Sequence, residues 1–227
     1  MRENITAVIV AAGTAQRMQG IDKALTPVDG IPLLLRTVNA VAASERIDRI
    51  VVVTRADLIE TVKMLCKDCP KVTDVVVGGE NRPQSVMNGL LAANDAELIA
   101  VHDGARPLVT VQVIDDAIAA AEKYGAAAPA IPVHDTIKTA KDGFVAQTPD
   151  RSTLFAIQTP QVFRAELIKN ALQAAIEQKL PITDDCSAVE LYGASVLLTK
   201  GSVENIKVTV PLDLAVAEAI LKRRDAT

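Results

Sequence analysis

The chain has 227 residues, with 24 Lys plus Arg against 28 Asp plus Glu, and so a formal net charge of −4. Hydrophobic residues make up 49% and charged residues 23%, a globular composition long enough to bury a real core and inconsistent with disorder. Aromatics are only 2%, Trp is absent and no basic stripe is present, which argues against a nucleic-acid partner. No apolar run approaches the ~20 residues of a membrane span.

The first apolar run, Ile5–Gly13, follows Arg2 and Glu3. Its short length and mixed-charge flank predict a buried first strand rather than a signal-peptide core. Strand-like runs at Thr6–Ala11, Arg49–Thr54, Val72–Val77 and Leu98–His102 are mostly rich in Val and Ile. They read as strands buried on both faces, as in a parallel sheet. Between them, Leu33–Ala43, Leu58–Cys66, Gln84–Ala93 and Val111–Tyr124 carry the helical period. This alternation predicts an α/β fold, a doubly wound three-layer Rossmann-like domain with a mostly parallel sheet, which Ala126–Pro132 continues.

The regularity then breaks. Thr136–Thr139 and Phe144–Thr148 read as two short polar strands around Lys141-Asp142-Gly143, a hairpin signal. Such a hairpin is marginal alone, so a protruding arm over about 135–151 is expected to pack on a partner subunit. Leu154–Thr159, a helix over Ala165–Lys179, a strand over Ser195–Thr199 and a helix over Leu212–Arg224 follow. No linker or repeat divides the chain, so residues 1–227 are expected to form one domain with this arm.

The three cysteines, Cys66, Cys69 and Cys186, suit a reducing cytoplasm better than a disulfide framework. Cys66-Lys67-Asp68-Cys69 stands alone and follows a helical pattern, the wrong end for a redox pair and too few ligands for zinc.

In an open parallel sheet, ligands bind beyond the carboxyl ends of the strands. After the first strand come Ala11, Ala12 and Gly13, then Arg17 and Lys23. Small residues admit a phosphate to the backbone amides, and the two cations stand beside that cradle; a tight turn with a solvated basic pair is the plain alternative. One glycine does not make a dinucleotide fingerprint. Gly78-Gly79-Glu80 before Ser85 again allows close backbone approach, or is a simple loop. Asp103 follows the fourth strand, where a carboxylate is a natural Mg²⁺ ligand or a turn residue. His102 beside it reads as a packed histidine. Thr183–Ser187 reads equally as helix capping. Lys207, between Ile206 and Val208, is either edge-exposed or aimed at an anion. Together these loops suit phosphoryl or nucleotidyl transfer, which needs positioning and charge neutralisation more than acid–base groups.

The ordered segments AAGTAQRM…K, GGENRPQSV, VHDGARP, PVHDTIK, QTPQVF, TDDCSAVE and GSVENIKVTVPLDLAVAE resemble the 2-C-methyl-D-erythritol 4-phosphate cytidylyltransferase family over nearly the whole chain. The resemblance implies a nucleotidyltransferase domain, CTP and methylerythritol phosphate as substrates, Mg²⁺ held by Asp103, and a homodimer formed through the arm. It implies that Arg17 and Lys23 stabilise charge on the CTP phosphates. Ala11, Ala12, Gly13, Gly79, Glu80 and Ser85 would read ribose and cytosine. Arg106, Thr136, Arg151 and Lys207 would hold the methylerythritol phosphate, with Thr136 and Arg151 serving the neighbouring subunit's site. Two positions depart from the family: Ala15 stands where a second glycine is frequent, and Ala24 where Gln is common. A polyol-phosphate cytidylyltransferase acting on ribitol 5-phosphate is the nearest rival.

Overall fold

The computed structural model describes residues 3–13 and 22–226. Strand β1 (Ile5–Val10) alternates its side chains between two layers. Ile5, Ala7 and Ile9 pack on one face of the sheet and Val8 on the other. β4 (Arg49–Thr54) does the same, with Ile50 and Val52 on the first face and Val51 and Val53 on the second. Both runs therefore read as unbroken hydrophobic stretches, because neither face meets water.

The first layer consists of α1 (Leu33–Ala42), α2 (Ile59–Cys66) and α4 (Val111–Tyr124). α4 starts on the Thr110 side-chain cap and stops at Gly125, whose φ of 88° opens the left-handed region a C-cap needs. The second layer holds α3 (Arg82–Ala92), α5 (Ala165–Glu177) and α6 (Asp185–Leu191). A smaller cluster of Val28, Leu33, Ala105, Leu108, Val208 and Ala217 seats α7 (Pro211–Asp225) and the segment before it beside the sheet's end.

β5 (Val72–Val77), β4, β1 and β6 (Leu98–Asp103) are adjacent and parallel. The chain steps outward from β1 to β4 to β5, then returns through α3 to β6 on the other side of β1. The order reverses between β1 and β6, so a crevice must open at their carboxyl ends. Beyond β6 the sheet turns mixed. β11 (Gln161–Arg164) runs antiparallel between β6 and β7 (Ala126–Pro132), while β10 (Phe155–Ile157) and β12 (Leu197–Lys200) also pair with β7, antiparallel and parallel respectively.

Several sequence expectations shift. β7 follows β6 in the sheet only across the inserted β11, whose short run carries no periodic signal. The Thr183–Ser187 cluster is the helix cap it reads as, opening α6, which the periodicity does not show: Asp184 accepts from Ser187 N at 2.9 Å. The two-residue strands β2 (Pro27–Val28) and β3 (Ile31–Pro32) close around Asp29 and Gly30, an Asp-Gly turn that the reading passed over. The arm's strands are β8 (Thr139–Lys141) and β9 (Phe144–Gln147), so the first begins at the end of the expected Thr136–Thr139 run. They pair only with each other and are exposed along their length. They are also less polar than expected: Phe144 is 80% exposed and Val145 lies open beside it. Among the described residues, no helix is long and apolar enough to cross a membrane.

Candidate active site

The crevice at the β1/β6 switch is a cleft of about 410 Å³. Its lining includes Ala11, Ala12, Gly13, Lys23, Gly79, Glu80, Ser85, Asp103 and Lys207, so most residues singled out from sequence converge on one place. Gly13 has open space where a Cβ would stand. At Gly78 the reverse holds: a Cβ would meet Ala12 Cβ at 2.4 Å and Ser85 Oγ at 2.8 Å. Only a glycine lets the β5–α3 loop press against the β1 loop and close the cleft wall. Ser85 Oγ accepts from Gly79 N at 3.1 Å and donates to Asn81 O at 2.9 Å, fixing that loop on the start of α3.

Asp103 is the last residue of β6 and its side chain is only 12% exposed. Lys207 Nζ lies 2.9 Å from its Oδ2, Arg106 Nε 3.6 Å from the same oxygen, and Arg82 Nη2 3.8 Å from Oδ1. Burial works to raise the Asp103 carboxyl, but Lys207, Arg82 and Arg106 outweigh it and hold it below the usual carboxylate range. A carboxylate ringed by cations gives the cleft one ionised oxygen donor amid a surplus of positive charge.

The backbone under this carboxylate is fixed by a buried polar chain that the sequence did not announce. His102 Nε2 is 3.1 Å from Arg106 O, a carbonyl that can only accept, so Nε2 carries the proton. Nδ1 then accepts from the Thr159 hydroxyl at 3.0 Å, and Thr159 Oγ1 accepts from Asp103 N at 3.1 Å. Asn205 Nδ2 donates to Thr159 O at 2.9 Å, and Arg106 Nη1 donates to Asn205 O at 2.6 Å. The strand end bearing Asp103, the Arg106 turn and the segment bearing Lys207 are thus locked together.

Burial pushes the His102 imidazole down from 6.5 to about 4, so it is neutral and packed, as read. The unfolded chain then binds a proton that the folded chain refuses between those values, and stability falls as pH drops through that window. The loss should be on the order of 3 kcal/mol. Urea unfolding of the wild type and His102→Gln between pH 7 and 4 checks this. The wild type should lose more stability on acidification; parallel curves would contradict it.

Lys23 sits in a turn tied by Asp22, which accepts from Ala24 N at 3.0 Å and pairs with Arg55 at 2.8 Å. Burial works to raise the Asp213 carboxyl of α7, but bonds from Thr209 N–H, Val210 N–H and the Thr209 hydroxyl, with a smaller pull from the Lys23 charge, hold it low. Asp213 and Arg82 are site neighbours that sequence reasoning missed, although Arg82 stands inside one of the recognised segments.

Arg17, like Ala15, lies outside the described residues. Two other expected residues stand apart from the cleft. Thr136 is exposed on the arm, and Arg151 lies in the short turn at its foot, donating to His134 O at 2.8 Å. Arg151 lines a separate open cavity with Val133, His134 and Asp150. Within one chain neither residue joins the cleft. Cys66 ends α2, and burial, with Cys69 adding to it, pushes its thiol up to about 11, the opposite of a reactive thiolate.

A doubly wound sheet with a small-residue cradle, converging cations and a strand-end carboxylate at its switch point defines a nucleotidyltransferase. The 2-C-methyl-D-erythritol 4-phosphate cytidylyltransferase profile matches residues 5–223. A protein of that name from Geobacillus kaustophilus is 45% identical over 226 residues, covering 98% of this chain and 99% of that one. One from Caldanaerobacter subterraneus is also 45% identical, covering 97% and 100%. Among solved structures, the 4-diphosphocytidyl-2C-methyl-D-erythritol synthase of Anaerococcus prevotii superposes with a TM-score of 0.88 at 30% identity, covering 97% of this chain and 96% of that one. The chain belongs to the 2-C-methyl-D-erythritol 4-phosphate cytidylyltransferase family.

Proposed function

We propose that the chain transfers the cytidylyl group of CTP to 2-C-methyl-D-erythritol 4-phosphate, giving 4-CDP-2-C-methyl-D-erythritol and pyrophosphate. The substrate phosphate attacks the α-phosphorus in line. The observation that carries this reading is the Asp103 carboxylate at the switch point, held ionised between Lys207, Arg106 and Arg82 and opening on the Ala11–Gly13 cradle. The nucleophile is a phosphate oxygen already ionised at pH 7, so no general base is needed, and His102 stays neutral and buried. The chain's task is to bring two polyanions together. Lys23, Lys207 and Arg17 offset their repulsion, Arg106 grips the acceptor phosphate, and backbone groups near Ala11, Ala12, Gly13, Gly79 and Glu80 with Ser85 read the nucleoside.

Mg²⁺ fits the donors present. Asp103 offers one ionised hard oxygen, Oδ1, with Arg82 beyond hydrogen-bond length at 3.8 Å. Magnesium sites of this kind use one or two protein carboxylates and complete themselves with substrate phosphates. The ion, when bound, supplies neutralisation of charge on the phosphates. Asp103→Asn should therefore raise the Mg²⁺ concentration for half-maximal turnover, at some cost in thermal midpoint because three cations lose their shared carboxylate. An unchanged Mg²⁺ titration would exclude Asp103 as the ligand.

The arm supports a homodimer. Phe144 and Val145 on it are exposed apolar side chains, as are Phe155 and Ile157 on β10 and Leu197 and Leu198 on β12, and a second copy would cover them. In that assembly Thr136 and Arg151 reach the neighbour's cleft. The free thiols of Cys66, Cys69 and Cys186 support a cytoplasmic location.

Pyrophosphate release measured with CTP and either methylerythritol phosphate or ribitol 5-phosphate tests the function. Turnover should be strongly selective for the former. Equal or greater turnover with the latter would move the chain to the polyol-phosphate enzymes.

A further inference from the structure

Asp185 is fully buried, with its side chain 1% exposed, at the first residue of α6. The helix start is already capped without its carboxylate. Asp184 accepts from Ser187 N, and Gln161 Oε1 accepts from Asp185 N at 3.1 Å and Cys186 N at 3.0 Å. The Asp185 oxygens instead take both ends of one guanidinium: Arg82 Nη1 donates to Oδ1 at 3.0 Å and Nη2 to Oδ2 at 2.7 Å. A buried ion pair is a poor source of net stability, because desolvation consumes much of the attraction. The location of this one suggests its use. Arg82 lines the cleft, and the same Nη2 stands 3.8 Å from Asp103 Oδ1. Two carboxylates compete for one cation, and Asp185 has it.

We propose that Asp185 is a positioning residue that holds Arg82 off Asp103, keeping Oδ1 available to the divalent cation that enters with the triphosphate. This rests on Asp103 as the metal ligand. Arg's planar fork matches a carboxylate at two points, which is why the pair can fix direction as well as charge. Without Asp185, the guanidinium has a second carboxylate within a small side-chain rotation, and closure onto Asp103 would block the metal oxygen.

The test compares Asp185→Asn with Arg82→Gln and the double variant Arg82→Gln/Asp185→Asn, all as full chains. In a crystal structure of Asp185→Asn, Arg82 should move to hydrogen-bond length from Asp103. Mn²⁺ binding in the presence of CTP and absence of acceptor, followed by electron paramagnetic resonance, should weaken about tenfold or more. The double variant removes the competitor and should bind Mn²⁺ as Arg82→Gln alone does, and about tenfold more tightly than Asp185→Asn, a recovery that damage to α6 would not produce. The proposal is overturned if Arg82 keeps its place in Asp185→Asn, or if the double variant binds Mn²⁺ as poorly as Asp185→Asn. Should Asp185→Asn fail to fold, the double variant is compared with Arg82→Gln, equal affinity supporting the proposal and a tenfold loss overturning it. Failure of the metal reading is separate: it shows as unchanged Mn²⁺ binding in Asp103→Asn, while the Arg82 position in Asp185→Asn still decides the role of Asp185.

Discussion

Lys23→Ala is expected to lower turnover by about 10²–10³ while changing the CTP requirement far less. Lys23 lines the cleft within the turn that follows the first-strand cradle. Its charge matters most where negative charge grows on the departing pyrophosphate, and a preorganised cation acts there without reorganisation. The substitution should leave the local backbone in place. The turn is held by Asp22, through Ala24 N at 3.0 Å, Leu25 N at 3.2 Å and Thr26 N at 3.1 Å, and by its pair with Arg55. Steady-state kinetics with CTP varied at saturating acceptor separates the two effects. Wild-type turnover with only a raised CTP requirement would show that Lys23 binds the ground state and the transition state alike.

The parts of the fold that the sequence announces are those with strong local periodicity. α4 starts and ends where its apolar spacing and Gly125 place it, and β4, β5 and β7 match their apolar runs. The missed elements are short or defined by distant partners. α6 is too short for a helical period to stand out, and β11 gains its identity from pairing with both β6 and β7. The same division runs through the site. Asp103, Lys23 and the small-residue loops are legible because they follow strand ends, where the topology puts ligands. Thr159, Asn205 and Asp185 are not, since their roles exist only across chain separations such as the 103 residues between Arg82 and Asp185. His102 is legible: it reads as a packed histidine, and its two ring nitrogens are spent on Arg106 O and Thr159 Oγ1.

The second large effect follows from the proposal that the arm and the cleft form one site made by two chains. Arg151 and Thr136 stand away from their own chain's cleft, Arg151 beside an open cavity at the foot of an exposed hairpin. An arginine there can grip phosphate oxygens through two parallel hydrogen bonds once a neighbour brings its cleft to it. Arg151→Ala and Lys23→Ala should each be nearly inactive alone. Mixed under conditions in which subunit exchange is verified, they form heterodimers with one site that has lost both residues and one that has lost neither. The most direct measurement of the central claim is the cytidylyl transfer rate of those isolated heterodimers. The account predicts about half of the wild-type rate per dimer. Heterodimers that remain as inactive as either parent would show that each site is built from a single chain.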